Sequence, residues 1–333
     1  MKKIDAFAHI LPKRYLERLE PHLERTLPNR EVRYYREGVF YFDPSLTDLD
    51  SRFRIMDRFP DYAQILVLAV PPIEETGPPA TAAAFARLAN DETAELVRGH
   101  PDRFAGFVAA LPWNDVEVCV TELDRAVKDL GAVGAQVYTN VQGLPLDDSR
   151  FDPVLTRLEE LGRGVWLHPT RNATWRDYPS EVASNYGLWW SLGWPYETAA
   201  ALSRLVYSGA MERHPKLKVV AHHGAGMVPH FSARLAMGPG YRQVKDALAR
   251  PPLEYFRRFY ADTALFGARN AVACVLEFFG AEHVLFGTDA PLGPSDAIEK
   301  TIGDVDACDL TDTQRSRVYS GNAETFLSPP RPD

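Results

Sequence analysis

The chain has 333 residues, 45% of them hydrophobic and 25% charged, and a net charge of −8. These are ordinary globular statistics with enough apolar content for a large core, and without a basic block they argue against nucleic acid or an anionic membrane as a partner. Cys119, Cys274 and Cys308 lack paired or CxxC spacing, which suggests neither a disulfide framework nor a thiolate metal site, and no apolar run approaches a membrane span of ~18 residues, so a reducing cytoplasm is the expected location.

Taken in order, apolar and β-branched runs predict eight strands: Lys3 to His9, Gln64 to Val70, Phe104 to Ala110, Gly134 to Tyr138, Gly164 to His168, Lys218 to His223, Arg258 to Asp262 and His283 to Thr288. Helical spacing fills most intervals, at Ala80 to Arg98, Val116 to Leu130 after an Asn114-Asp115 cap signal, Asp152 to Leu161 and Thr198 to Met211. Alternating β and α with right-handed crossovers predicts a parallel sheet, and eight repeats predict its closure into a (β/α)₈ TIM barrel. A single domain over residues 1–327 is expected, with a frayed tail at 328–333. Residues 15–61 are expected to form a small insertion after the first strand, with Glu31 to Phe42 alternating like a hairpin arm and Asp48 to Phe59 helical. Together with residues 169–217 it is placed to roof a pocket.

Polar residues end several of these strands. His9, His168, one of the pair His222-His223, and Asp289 just after the last strand would converge at the C-terminal rim, where such barrels build their active sites. Asp262 ends the seventh strand, with a structural hydrogen-bond role weighed equally against a functional one. Strand alternation sets Asp5, Phe7 and His9 on one face and lets only one of His222 and His223 enter the mouth. The glycines of His223-Gly-Ala-Gly permit close backbone approach to a ligand. Trp175, Tyr186, Trp189, Trp190 and Trp194 offer walls for a flat pocket, or equally a core or dimer interface.

These motifs, in this order, resemble the amidohydrolase-related family (amidohydrolase 2) that includes aminocarboxymuconate semialdehyde decarboxylase and the resorcylate, dihydroxybenzoate and carboxyvanillate decarboxylases, with some hydratases and hydrolases. The resemblance is carried by Asp5-x-Phe7-x-His9-Ile-Leu-Pro12, Arg54-Ile-Met-Asp57, Pro101-Asp-Arg-Phe104, Gly134-Ala-Gln-Val137, Val165-Trp-Leu-His168-Pro, Pro195-Tyr-Glu197-Thr, His214-Pro-Lys-Leu-Lys218, His223-Gly-Ala-Gly-Met-Val-Pro229, Gly287-Thr-Asp289 and Gly321-Asn322-Ala323. It implies metal ligation by His9, His168 and Asp289, and a catalytic His223, chosen over His222 by its distance from Pro229. It also implies that Arg234 reaches a neighbouring subunit's pocket in a homodimer. Phe7 stands where the family's first ligand would be, and Tyr41 where the muconate enzyme carries a carboxylate-gripping arginine.

The function expected from this reading is metal-dependent, non-oxidative decarboxylation of an aromatic or dienoic acid. Zn²⁺ or Mn²⁺ would be held, at partial occupancy because of Phe7, with no organic cofactor. His223 and Asp289 would be the catalytic groups, and Phe7, Tyr41, Arg54, Trp190, Trp194 and Arg234 would line the small-molecule carboxylic acid substrate. Two alternatives stay open at this point: metal-assisted hydrolysis of a lactone, ester or amide, and a metal-free family member with altered activity or a binding role.

Overall fold

The computed structural model describes residues 1–28, 35–238 and 248–328. Eight parallel strands follow one another around a single sheet: β1 (Lys3–Ile10), β2 (Tyr62–Leu68), β3 (Phe104–Ala109), β4 (Gly134–Tyr138), β5 (Gly164–His168), β6 (Lys218–Ala221), β7 (Tyr260–Asp262) and β8 (Val284–Leu285). Hydrogen bonds from Ala6 N to Phe286 O (2.8 Å), Asp289 N to Phe7 O (3.2 Å) and His9 N to Ala290 O (2.7 Å) join the end of the chain's last strand back to β1. This closure gives the expected TIM barrel, and it also sets the C-terminal half of β1 directly against Asp289.

Crossover helices include α1 (Lys13–Thr26), α2 (Leu49–Met56), α3 (Pro79–Gly99), α4 (Val116–Lys128), α5 (Asp152–Glu160), α6 (Gly193–Tyr207), α7 (Arg269–Phe279) and α8 (Ala297–Asp306). Their starts follow local chemistry. Asp115 caps α4 by accepting from Val118 N, Asp48 caps α2 at two backbone amides, and Pro79 opens α3 where its missing N–H costs nothing. None of the described helices is long and apolar enough to cross a membrane.

Three cores result among the described residues. The largest lies between the strands' outer faces and the helices, with Leu66, Phe104, Phe107 and Leu167 among its members. The smallest fills the barrel axis with Ile4, Ala6, Phe7, Ile65, Val67, Val108, Trp166, Val220 and Leu285. Trp166 plugs the bottom of the barrel, its indole N–H donating to Ala6 O at 2.9 Å. The plug needs Gly134, because a Cβ there would stand 2.4 Å from the indole ring.

The insertion differs from expectation at one place. Residues 31–34 of the anticipated hairpin arm lie outside the described residues, but Arg36–Phe40 is a π-helical turn. Alternating side chains make a strand only where a neighbouring strand satisfies the backbone, and here Tyr41 N donates back to Arg36 O instead. The segment from Asp48 onward is helical as expected. Of the anticipated tail, residues 329–333 lie outside the described residues.

Candidate active site

Strand β1 is not a simple alternating ladder. Its pairing with β2 slips between Asp5 and Ala8, so that Ile4 and Ala6 and then Phe7 and His9 face the axis. Asp5 is therefore turned outward, correcting the expectation that it shares a face with Phe7 and His9; one extra residue in a strand reverses the parity of everything after it. Behind the wall, the Asp5 carboxylate accepts from Tyr62 Oη (2.6 Å), Phe7 N (3.1 Å) and Thr288 N (3.1 Å). Burial pushes Asp5 up to about 6.

The same outer layer contains a buried arginine. Arg52, on α2, is 2% exposed and donates to Ser45 O (3.0 Å), Gln64 Oε1 (2.6 Å) and the carbonyl of His9. Arg54, expected on the substrate, points to solvent instead and donates to Ser51 Oγ within its own helix. Two helix positions two apart lie on different faces, so only one of these arginines can face the barrel. Arg54→Ala is expected to leave stability and KM unchanged. Arg52→Met, which strips three buried acceptors of their donor, is expected to cost about 2–3 kcal/mol in urea unfolding; equal effects of the two substitutions would contradict this placement.

At the C-terminal rim the structure brings together His9, His168, His222 and Asp289, exposed by 0%, 2%, 0% and 7%. The ring centroids of His9, His168 and His222 are 5.2, 5.8 and 5.4 Å apart. One ligand atom from each of these three lies within 4.8 Å of the others, and the same holds for the set His222, His223 and Asp289. Asp289 Oδ1 sits 3.1 Å from His9 Nε2 and 3.3 Å from His222 Nε2. Asp289 has φ 63° and His223 φ 53°, both in the left-handed region where non-glycine residues are uncommon. Such strain clusters at functional sites.

Hydrogen bonds fix how each imidazole presents itself. His168 Nδ1 is 2.7 Å from Pro169 O and His223 Nδ1 is 2.9 Å from Ala264 O, contacts that only an N–H makes, so both Nε2 atoms are left free. His222 Nδ1 is held by Asp262, whose other oxygen accepts from Gly224 N and Ala264 N, each at 3.2 Å. His9 is different. Neither of its ring nitrogens has a hydrogen-bond partner among the described residues, although the side chain is fully buried. Its approach to Asp289 lacks hydrogen-bond alignment. An unpartnered imidazole beside two others and a carboxylate is the donor set of a divalent metal site, and the residues present fit such an ion.

Charge in this centre is sharply divided. Burial, reinforced by His9 and His222, holds His168 well below its ordinary value. Burial and His222 bring His223 to about 4. For His222 burial works against the proton, but Asp262 and Asp289 outweigh it and push it up to about 9. Burial likewise opposes charge on Asp289, yet His222 and His9 keep its carboxyl far below the usual range.

The expected division of labour between His222 and His223 is corrected here. His222 was assigned to the outside of the barrel wall, but β6 ends at Ala221 and Val220 points to the axis, so strand parity sends His222 inward. His223 has already left the strand, and its ring stacks on that of His222 with centroids 3.7 Å apart. Both histidines therefore reach the site.

Above the rim lies a cleft of about 790 Å³, whose lining includes Val70, Pro71, Thr170, Arg171, Trp189 and Trp194. Its walls stop short of the four imidazoles, and Trp194 makes the connection by standing edge-on to His168 at 5.4 Å. Trp194 thus lies where a substrate wall was expected, and Phe7 lies among the site rings, 5.9 Å from His9. Trp190 and Tyr41 do not line the cleft. Trp190 is 48% exposed behind Trp194, and Tyr41 is 61% exposed with its hydroxyl on Glu20. Adjacent tryptophans on a short helix face different ways, and it is Trp189 that turns inward. Arg234 lies exposed on the surface helix Ser232–Ala236. Sequence reasoning passed over Arg52, set His222 aside in favour of His223, named Trp189 only among five candidate wall aromatics, and left Asp262 undecided. Strand parity counted back from Val220 was the available signal for His222.

An Amidohydrolase family model matches residues 4–328. Over 98% of this chain and 91% of the relative, the sequence is 30% identical to 2-amino-3-carboxymuconate-6-semialdehyde decarboxylase of Dictyostelium discoideum. It is 33% identical to a gamma-resorcylate decarboxylase of Polaromonas sp. (strain JS666), over 84% of this chain and 86% of the relative. The crystal structure of a dihydroxybenzoic acid decarboxylase from Polaromonas sp. JS666, with bound manganese and the inhibitor 2-nitroresorcinol, is similar with a TM-score of 0.79 and 26% identity, covering 98% of this chain and 96% of that one. With its barrel, its rim of histidines and aspartate, and a match over nearly its whole length, the chain belongs to the amidohydrolase family.

Proposed function

We propose that this protein is a metal-dependent, non-oxidative decarboxylase that removes CO₂ from an aromatic carboxylic acid. The observation that carries the reading is the convergence of His9, His168, His222 and Asp289 on one buried centre in which His9 has no hydrogen-bond partner among the described residues. The family supports it, since the relatives similar over most of this chain are decarboxylases by name. His9, His168 and Asp289 would hold the ion, and Mn²⁺ is favoured over Zn²⁺ because the related Polaromonas structure contains manganese. When bound, the ion supplies a Lewis acid that orients the carboxylate and draws charge from a neighbouring oxygen.

The chain's own residues do the rest. Trp194, with Trp189 behind it, forms an apolar wall against which an aromatic ring lies flat, and it dries the entrance to the centre. His223 is neutral at rest, anchored through Nδ1, and part-exposed. Once charged it gives its proton readily, so it delivers H⁺ to the ring carbon as the bond to the carboxyl carbon breaks and CO₂ leaves. The reaction consumes one proton and no redox equivalent. Asp289 keeps its negative charge throughout. Arg234 on its exposed helix, flanked by exposed Phe231 and Met237, is assigned to contact with a second copy in a homodimer. The free cysteines accord with a cytoplasmic location.

The test is chelator-stripped protein reloaded with Mn²⁺ and offered 2,6-dihydroxybenzoate and salicylate-type acids, with released CO₂ as readout. Turnover is expected only in the reloaded protein. Hydrolysis of a lactone or ester, with a new carboxylate in the product and no CO₂ from any acid, would overturn the proposal, as would full activity in metal-free protein.

A further inference from the structure

Phe7 replaces a side chain of the first strand that, in the resemblance, would reach the ion, and its ring lies flat against His222, with centroids 3.8 Å apart and planes 11° from parallel. His222 is thus the middle of a three-ring stack, with Phe7 on one face and His223 on the other, 3.7 Å away and inclined by 26°. It is fully buried, and its Nδ1 is spoken for by Asp262. Its Nε2 edge, hydrogen-bonded to Asp289 Oδ1 at 3.3 Å, faces the centre shared by His9, His168 and Asp289.

We infer that His222 is the third imidazole ligand of this site and takes over the coordination position that Phe7 gives up, with Phe7 serving as the stacking support that aims it. The inference rests on the metal-dependent reading above and changes its ligand set. A histidine meant to carry protons to a substrate needs its Nε2 edge open to that substrate, and the Nε2 edge of the fully buried His222 is turned onto Asp289 Oδ1 at 3.3 Å instead. A carboxylate on the far nitrogen is what metal-bound histidines ordinarily have, because it fixes the tautomer and raises the basicity of the ligating nitrogen. His223, part-exposed and anchored only to a backbone carbonyl, has the access that His222 lacks. Three imidazoles and one carboxylate would suit a divalent ion such as Mn²⁺.

Pulsed EPR of Mn²⁺-loaded wild-type protein counts coordinated imidazole nitrogens directly. Three are expected; two would overturn the inference, and this readout does not depend on any variant folding. In parallel, Mn²⁺ binding to apo protein is titrated for His222→Gln, His168→Gln, Phe7→His and the double variant Phe7→His with His222→Gln. His222→Gln should weaken binding at least about tenfold, as His168→Gln does, since even an indirect partner of a metal is worth about 10–100-fold. The double variant should recover most of that loss, because a histidine at position 7 restores a third ring from β1. His222→Gln binding Mn²⁺ as wild type does would sink the inference while leaving the metal reading intact. Wild-type protein that binds no Mn²⁺ or other divalent ion would sink both.

Discussion

Replacing His168 by alanine is expected to lower kcat at least about 10³-fold while the protein still folds. His168 is anchored at Nδ1 by the carbonyl of the next residue, kept neutral by burial, and surrounded by the other rings of the centre. Every one of these features presents a lone pair at Nε2, and none gives the ring a role in holding the barrel together. Losing a group that merely supports a metal ligand costs about 10–100-fold, so losing His168 as a proposed ligand is expected to cost more. KM should change less than kcat, because the cleft wall at Trp189 and Trp194 remains. Circular dichroism and thermal melting establish that the barrel persists, and metal content by mass spectrometry should fall with activity. An alanine variant that retains activity within tenfold of wild type would remove His168 from the centre.

The barrel was legible in the sequence because each strand is a short apolar run, several of them closed by a polar residue, and because most intervals between runs have helical spacing. His9, His168 and Asp289 could be picked out for the same reason, as each ends or follows a buried strand. What the sequence hid depends on single-residue offsets. The slip in β1 turns Asp5 outward while keeping Phe7 and His9 inward, and nothing in Asp-Ala-Phe-Ala-His announces it. His222 and His223 were read as alternatives on a strand, but the strand stops at Ala221 and the left-handed turn at His223 lets both rings enter the same space. Arg52 and Arg54, or Trp189 and Trp190, differ by one or two positions on a helix, and motif resemblance cannot say which of each pair faces in. Pairings such as Asp262 with His222 join residues from different strands, so only the closed sheet reveals them.

Glu74 gives the other large expected effect, and it bears on stability. The residue sits on a short turn after β2, is 1% exposed, and has one carboxyl oxygen without a hydrogen-bond partner among the described residues. It lines a cavity about the size of one water molecule with Gln136 and Tyr138, and the Tyr138 ring lies 5.1 Å from that of His168. Burial, with a smaller contribution from Glu75, pushes its carboxyl up to about 8 from an ordinary 4.5. Between those two values the folded chain keeps a proton that the unfolded chain has released, so stability must fall as pH rises from about 4.5 to about 8 and level off above that. At about 1.4 kcal/mol per pH unit, the loss attributable to Glu74 between pH 5 and pH 9 is about 4 kcal/mol. Glu74→Gln removes the titration, and the difference between wild type and variant cancels every other group that titrates in the same range. Urea unfolding at pH 5, 7 and 9 should therefore show the variant gaining on wild type at each step, and by pH 9 exceeding it in stability. Parallel pH profiles would mean that Glu74 ionises as freely in the folded protein as in the unfolded one, and that the cavity beside Tyr138 is wet and polar enough to carry a charge next to the catalytic centre.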